Sequence, residues 1–439
     1  MTFPSGPELP IEELHKEYFT NTFPFLLKCF DDFGDIFSLK LGDFGLSNLD
    51  TNGIWVFLTK SDDIEKLFKA DKSVVYGGEA NQIQFQNLVP LLSSTALDEN
   101  EHLNRRRMLL KFFKNAGGNT DEMRASAEAV LATMPNDKPF SIFSFLKRIT
   151  YLTIFNTSMS KWGDDETRDV CASLIDLESA ETNMEQKRAL IADTEQYLIN
   201  IIRREREKHC QLDPKTFSCV FEYLLFSKDG DDYSVSADAM AQEMVGLLMG
   251  GISTTAIMLS WAFSYILSDS GVLRKIHSEL KSELNGDPVN AGNIENLSYL
   301  NSVVLETLRI QPFMATPGLR LLKKPFEVGG YSLPVGTMVA NCSYLMQRRE
   351  EYYPEPEAFC PERFADGKVS TYKWTPFGGG VRRCVGYNFA LHNMKVVIAT
   401  LLQNIDLELA MPVDGAEFLG AFFGPKGGPL VRAAHKATG

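Results

Sequence analysis

The chain has 439 residues, 44% of them hydrophobic and 23% charged, with a net charge of −13. That composition is globular rather than disordered or fibrous, and the acidity argues against nucleic acid or an anionic membrane surface as a general partner. Seven scattered cysteines (Cys29, Cys171, Cys210, Cys219, Cys342, Cys360 and Cys384) contain no C-x-x-C pair, which argues against a zinc site and fits a reducing, cytoplasmic location.

Residues 1–34 read as a lead-in, and Met1 to Leu14 are polar with three prolines, unlike a signal peptide or anchor. Ile36–Leu41 and Gly53–Lys60 read as strands joined by a turn that carries Asn48, Asp50, Asn52 and Gly53. Lys66 to Asp98, interrupted by Gly77-Gly78 and Pro90, reads as irregular. Leu103 to Lys114 has the pattern of a basic amphipathic helix, and Met184 to Cys210 that of a longer charged one. No Ser/Gly linker, charge block or internal repeat divides the chain, so one large domain is expected.

The most apolar stretch is Met244 to Leu267, long enough to cross a bilayer. It also holds Gly250, Gly251 and five hydroxyl residues (Ser253, Thr254, Thr255, Ser260 and Ser264), with no basic cluster at either end. A long buried helix is therefore expected, from a Ser236 cap through Ala237 to about Ser268, roughly 48 Å at about 1.5 Å per residue. A further helix should end at Leu284, before Asn285-Gly286-Asp287-Pro288, and another should span Leu297 to Ile310. Strands over Phe326–Val328 and Met338–Asn341 follow, and a last helix runs from beyond Cys384 to about Asn404.

Three constellations carry chemistry. Cys384 lies in Phe377-Gly378-Gly379-Gly380-Val381-Arg382-Arg383-Cys384-Val385-Gly386, which reads F-x-x-G-x-R-x-C-x-G. The glycines let the backbone bend close to a flat macrocycle. Arg382 can neutralise an acidic edge of it, and N–H groups beyond Cys384 can hold its sulfur as a thiolate. Five fixed positions in ten residues arise by chance on the order of 10⁻⁴ times in such a chain; the bland reading is a buried apolar thiol. Glu306 and Arg309, three apart, share one helix face, and Arg363 can complete a charged triad; the bland reading is an exposed helical ion pair. Gly250 and Gly251 each cost about 1 kcal/mol in a helix interior, which points to a close approach, either of a ligand or simply of another helix.

In this order and near this spacing, Gly250-Gly251-Ile252-Ser253-Thr254-Thr255, Glu306-x-x-Arg309, Pro361-Glu362-Arg363-Phe364 and the Cys384 loop resemble the cytochrome P-450 family, over about Asp35 to Gly428. The resemblance implies a mainly α fold with small β-sheets (α+β), one haem domain over 1–439, and a long central helix over the haem. It implies haem b (iron protoporphyrin IX) with Cys384 as the axial iron ligand, and Phe377, Gly380, Arg382 and Gly386 shaping the loop. A thiolate ligand favours O–O cleavage. His102, Arg106, Arg320 and Arg382 match the family's partners for the haem propionates, the bland reading of His102 being a solvated histidine. Thr254 would place a proton-relaying hydroxyl over the iron beside Gly250 and Gly251. Where the family carries an acid this chain has Ser253, which passes a proton but cannot store one near neutrality. Glu306, Arg309 and Arg363 correspond to the family's structural triad. Pro4-Ser5-Gly6-Pro7 resembles the hinge that follows an anchor in membrane-bound relatives, so an association with membrane is expected only if such an anchor was removed.

The implied function is that of a haem-thiolate monooxygenase. It would insert one oxygen from O₂ into a hydrophobic small molecule such as a fatty acid, terpenoid or steroid-like ring system. Phe85, Leu88, Val89, Met249, Phe313, Met314, Phe418 and Phe422 are the expected substrate-facing residues, with no charge among them; their bland reading is core. No flavin or nicotinamide domain is apparent, so electrons should come from a separate partner. The basic strip Arg105, Arg107, Lys111 and Lys114, with Arg383 and Lys395, suggests an acidic ferredoxin or flavodoxin with its reductase. The alternatives are a peroxygenase or peroxide-rearranging enzyme, kept open by Ser253, and a non-catalytic haem-binding sensor.

Overall fold

The computed structural model describes every residue except 1–2, 46–48, 72, 115, 137, 179–181, 209–216, 230–231, 420–421 and 437–439; Asn48 and Cys210 lie outside the described residues. The chain is mainly helical with small sheets, as expected. It forms two compact units, each assembled from separate stretches of sequence. One comprises Met1–Arg105, Leu308–Phe359 and Lys368–Val385; the other comprises Arg106–Thr307, Cys360–Gly367 and Gly386–Gly439.

The first unit is built on a five-stranded sheet in the order Ile36–Leu39, Trp55–Leu58, Met338–Asn341, Arg320–Leu322, Val75–Tyr76. Met338–Asn341 runs parallel to Trp55–Leu58, and the other pairings are antiparallel. Trp55–Leu58 and Met338–Asn341 are buried along their whole length, as unbroken apolar strands in the middle of a covered sheet are. Ile36, Val56, Leu58, Leu67, Phe68, Val339 and Met346 form its core.

The stretch from Lys66 to Asp98 is more regular than expected. It holds the end of a helix Ser61–Lys69, the strand Val75–Tyr76 and a helix Gly78–Gln84. In the first helix Ile64, Leu67 and Phe68 are buried, a helical spacing that is cut in two when the segment is read from Lys66. Two N-terminal helices, Ile11–Thr20 and Thr22–Phe33, occupy the lead-in.

In the second unit the central helix spans Ala237–Ser268, and the Ala239 N–H donates to Ser236 Oγ at 3.1 Å. Asp269 ends it and caps the next helix, Ser270–Leu284, by accepting from the Gly271 and Val272 N–H groups. The central helix packs against helices Ile142–Met159 and Met184–Lys208; Thr150 Oγ1 donates to the Ile252 carbonyl at 2.8 Å. A hairpin of Ala416–Leu419 and Phe422–Pro425 lies on it too, with Trp261 Nε1 donating to the Phe423 carbonyl at 3.0 Å. Of its most apolar window, 72% is buried inside the protein, the pattern of a core helix.

The two helix glycines have different surroundings. A Cβ on Gly251 would lie 2.8 Å from Ile154 Cγ1 on the neighbouring helix, whereas one on Gly250 would meet nothing within 4 Å. The close approach at Gly251 is thus accounted for by helix packing. Gly250→Ala should stabilise the fold by up to about 1 kcal/mol through helix propensity, and Gly251→Ala should destabilise it by about 1–3 kcal/mol through overpacking. Thermal unfolding of the two variants checks this opposite sign; equal midpoints would contradict it.

Candidate functional site

The cysteine loop belongs to the first unit. A single 3-10 turn, Gly380–Arg382, leads into Cys384, whose N–H donates to the Phe377 carbonyl at 3.0 Å. Cys384 is exposed. Cys29, Cys171, Cys219 and Cys342 are buried and Cys360 is half-buried. Burial pushes the thiols of Cys29, Cys171 and Cys342 up to about 12, so they remain protonated near neutrality. Among the described residues Cys384 is the cysteine open to a ligand.

Gly380 has φ +66°, and a Cβ there would lie 2.2 Å from Asp71 Oδ2. Both the backbone conformation and the neighbouring carboxylate therefore require glycine. Asp71 accepts from Arg320 Nε at 2.7 Å, from Arg320 Nη2 at 3.2 Å and from the Val381 N–H at 3.2 Å. Arg320 also donates to the Gly379 carbonyl at 3.1 Å and to the Leu319 carbonyl. The side chains of Arg320 and Asp71 are only 3% and 4% exposed. The donors of Arg320 are thus engaged within the protein, where they hold the cysteine loop.

Arg382 donates through Nη2 to the Leu97 carbonyl and to Asp98. Among the described residues its Nε and Nη1 have no acceptor. Burial lowers the guanidinium to about 10, which leaves it charged near neutrality. His102 is buried rather than solvated; its Nδ1 lies 2.8 Å from the Ser94 carbonyl and its Nε2 3.5 Å from that of Val381. Arg106, one turn along the helix Glu99–Phe113, is half-buried and belongs to the second unit. An iron macrocycle with carboxylate arms fits the first unit's donor set, which combines an exposed thiol with a charged guanidinium that retains N–H groups.

Glu306 and Arg309 are both 0% exposed, so the exposed ion pair is excluded. In the second unit Glu306 accepts from the Cys360 N–H at 2.8 Å and from Arg363 Nε at 3.3 Å. In the first, Arg309 donates to the Gln347 carbonyl at 3.0 Å and to that of Ala358 at 3.2 Å. Gln347 donates back to the Arg309 carbonyl and accepts from the Thr375 N–H. The Arg309 helix end is thereby wired to the start of the cysteine loop. Sequence reasoning missed Gln347, Asp71 and Asp98. Asp98 sits at the start of the basic helix, a position that suits an acid; nothing in the sequence pairs Asp71 with Arg320.

On the central helix Thr254 Oγ1 donates to the Gly250 carbonyl at 2.6 Å. Ser253 is buried. Successive helix residues are about 100° apart, so Ser253 and Thr254 look in different directions. Gly386 precedes the helix Tyr387–Asn404, and the Ala390 N–H donates to its carbonyl.

The expected substrate residues divide between the units. In the first, Phe85, Leu88 and Phe313 are half-buried while Val89 and Met314 are buried. In the second, Met249, Phe418 and Phe422 are half-buried, the last two in the hairpin on the central helix. The basic strip needs one correction. Lys395 is buried and ion-paired with Glu295 at 3.0 Å, so it presents no charge to a partner. Lys111 contacts the Tyr223 hydroxyl and ring, and Arg105 donates to the Leu92 carbonyl. Arg107 and Lys114 are exposed, and Arg383 is half-buried.

The family model described as cytochrome P-450 matches residues 4–422. Cytochrome P-450 135B1 of Mycobacterium tuberculosis is 29% identical over 428 residues, covering 93% of this chain and 86% of that protein. Germacrene A hydroxylase of Tanacetum parthenium is 29% identical over 229 residues, covering 51% of this chain and 47% of that one. The solved structure of retinoic acid-bound cyanobacterial CYP120A1 superposes with a TM-score of 0.83 at 20% identity, over 99% of this chain and 100% of that one.

Arg309→Ala would leave the buried Gln347 carbonyl and the Ala358 carbonyl without this donor and remove a buried charge from its network. We expect a loss of about 3–5 kcal/mol in urea unfolding, together with failure to take up haem, read as Soret absorbance. Normal stability and uptake would place Arg309 outside the scaffold.

Proposed function

The chain belongs to the cytochrome P-450 family, and we propose that its residues 1–439 act as one haem domain of a monooxygenase that oxidises a hydrophobic small molecule of terpenoid, fatty-acid or steroid-like type. Members of the family use lipophilic substrates and redox partners. The observation that carries the reading is Cys384, an exposed thiol at the end of a loop pinned by Asp71 and flanked by the buried cation Arg382. When bound there, haem b supplies the iron at which O₂ is activated, and a thiolate ligand favours O–O cleavage.

The chain's own residues would do the rest. Cys384 holds the iron through its deprotonated sulfur, and Phe377, Gly380 and Gly386 give the loop the shape that presents it. Arg382, His102 and Arg106 would hold the carboxylates of the cofactor, and Arg320 would steady the loop. The Thr254 hydroxyl, hydrogen-bonded to the Gly250 carbonyl, would hold and release a proton at its Oγ1, with Gly250, where a Cβ would meet nothing within 4 Å, leaving space beside it. Phe85, Leu88, Val89, Met249, Phe313, Met314, Phe418 and Phe422 exclude water and hold an apolar substrate without reading charge. That a relative matching half of this chain is a germacrene A hydroxylase supports a terpenoid.

Electrons would arrive from an acidic ferredoxin or flavodoxin with its reductase, docking at Arg107, Lys114 and Arg383. Among the described residues the one helix long and apolar enough to span a membrane is mostly buried, which supports a soluble, cytoplasmic protein. A peroxide-using reaction is the second reading. It is favoured by Ser253, a buried hydroxyl at the position where the family carries an acid, which cannot store a proton near neutrality.

The reduced carbonyl complex should show the thiolate-type Soret band, and Cys384→Ser should lose it; a wild-type protein without that band ends the reading. Thr254→Ala should lower substrate oxidation with ferredoxin and reductase on the order of 10²-fold, the usual scale of a lost proton donor, and raise the peroxide released per electron consumed. Full activity with hydrogen peroxide alone and none with the electron-transfer proteins would establish the second reading.

A further inference from the structure

Two carboxylates within the first unit pair with Arg382 of the cysteine loop and with Arg320 of the strand that supports it, and beyond the pinning of the loop by Asp71 the cofactor reading gives them no role. Asp98 accepts from the Gly77 and Gly78 N–H groups and from the Glu79 N–H, each at 3.0 Å, as well as from Arg382. The side chains of Arg382 and Asp98 are 8% and 14% exposed. Asp71 has the corresponding arrangement with Arg320 and the Val381 N–H.

Glycine makes both contacts possible. A Cβ on Gly77 would lie 2.3 Å from Arg382 Cδ, one on Gly78 2.6 Å from Asp98 Oδ2, and one on Gly380 2.2 Å from Asp71 Oδ2. The doublet Gly77-Gly78, which reads in the sequence as a mere interruption, is where the backbone closes on the pair. His102 and Val381 border the same small cavity as Asp71, Asp98 and Arg382.

We propose that Asp71 and Asp98 are positioning residues that orient Arg320 and Arg382 and set the charge the loop presents to the cofactor. This rests on the reading of Cys384 as the iron ligand. Each guanidinium is matched by one carboxylate, buried at Asp71 and half-buried at Asp98, so the unit carries two compensated pairs rather than two bare positive charges. Charges screened so little by water act at several ångströms. Removing either negative charge favours the state of the iron that holds one more electron, and the ferric/ferrous potential rises. Asp98 also ties the start of the helix Gly78–Gln84 to Arg382, so displacement of that helix alters the same pair.

The test is a spectroelectrochemical titration of the holoprotein and its Asp98→Asn, Asp71→Asn, Asp98→Glu and Glu99→Gln variants. Both asparagine variants should shift the potential upward. Asp98→Glu, which restores the charge, should move it back toward that of the wild type. Glu99→Gln removes the same charge one residue away on the border of the same cavity, but at an exposed position where solvent screens it, and should shift the potential less than either asparagine variant. Potentials that stay put or fall in both asparagine variants, or a Glu99→Gln shift of equal size, would overturn the proposal. So would a failure of both asparagine variants to retain haem, which would assign the carboxylates to the scaffold alone. A wild type with normal haem uptake but no thiolate spectrum refutes the Cys384 reading itself, independently of how the potentials move.

Discussion

A carboxylate withdrawn from water must be matched by donors, and Asp71 is matched by two N–H groups of Arg320 and one of the loop it supports. Left unmatched, a buried carboxylate would cost several kcal/mol. Because the match requires Val381 and Gly380 to lie against it, the cysteine loop has little freedom to stand elsewhere. The same carboxylate excludes any side chain at Gly380. An exposed sulfur on an otherwise irregular stretch is therefore held by charge pairing behind it rather than by secondary structure around it. Rigid support beneath an exposed reactive group is what a ligand to a metal requires.

Buried hydrogen bonding extends that support along the chain. Arg309 holds two carbonyls, Gln347 answers it, and Thr375 hands the connection to the loop containing Phe377. In the other unit Glu306 collects the Cys360 N–H and Arg363. The helix Ser298–Ile310 thus serves a network in each unit from neighbouring turns. Each network is satisfied by backbone as well as side-chain groups, the condition under which a buried polar cluster stabilises rather than weakens a core.

Much of the secondary structure was legible locally. The central helix begins after its Ser236 cap and ends at Ser268. The strands Phe326–Val328 and Met338–Asn341 fall where turn residues bracket apolar runs. Two kinds of element escaped. The helix Gly78–Gln84 opens on a glycine pair, ordinarily a breaker, because the Asp98 carboxylate caps its N–H groups from a distant position. The helix Ile142–Met159 is rich in isoleucine, threonine and phenylalanine, a composition that favours strands; burial against the central helix overrides that preference. Of the candidate site, the cysteine, the arginine before it and the Glu306 and Arg309 pair could be read from spacing. Lys395 could not be assigned, since a lysine in the sequence carries no sign of the Glu295 that pairs with it.

By itself the sequence determined the chemistry on offer: one cysteine framed by glycines and an arginine, a hydroxyl on a long apolar helix, and a mainly helical chain with small sheets. These are local properties, fixed by residue type and by spacings of a few positions. The tertiary structure decided which cysteine is open, which arginine keeps donors to spare, and that Ser253 and Thr254 look different ways. Those outcomes depend on charges and side chains brought together from positions far apart, such as Asp71 with Arg320 and Asp98 with Arg382. Burial turns such meetings into strong constraints, because water no longer competes for the partners.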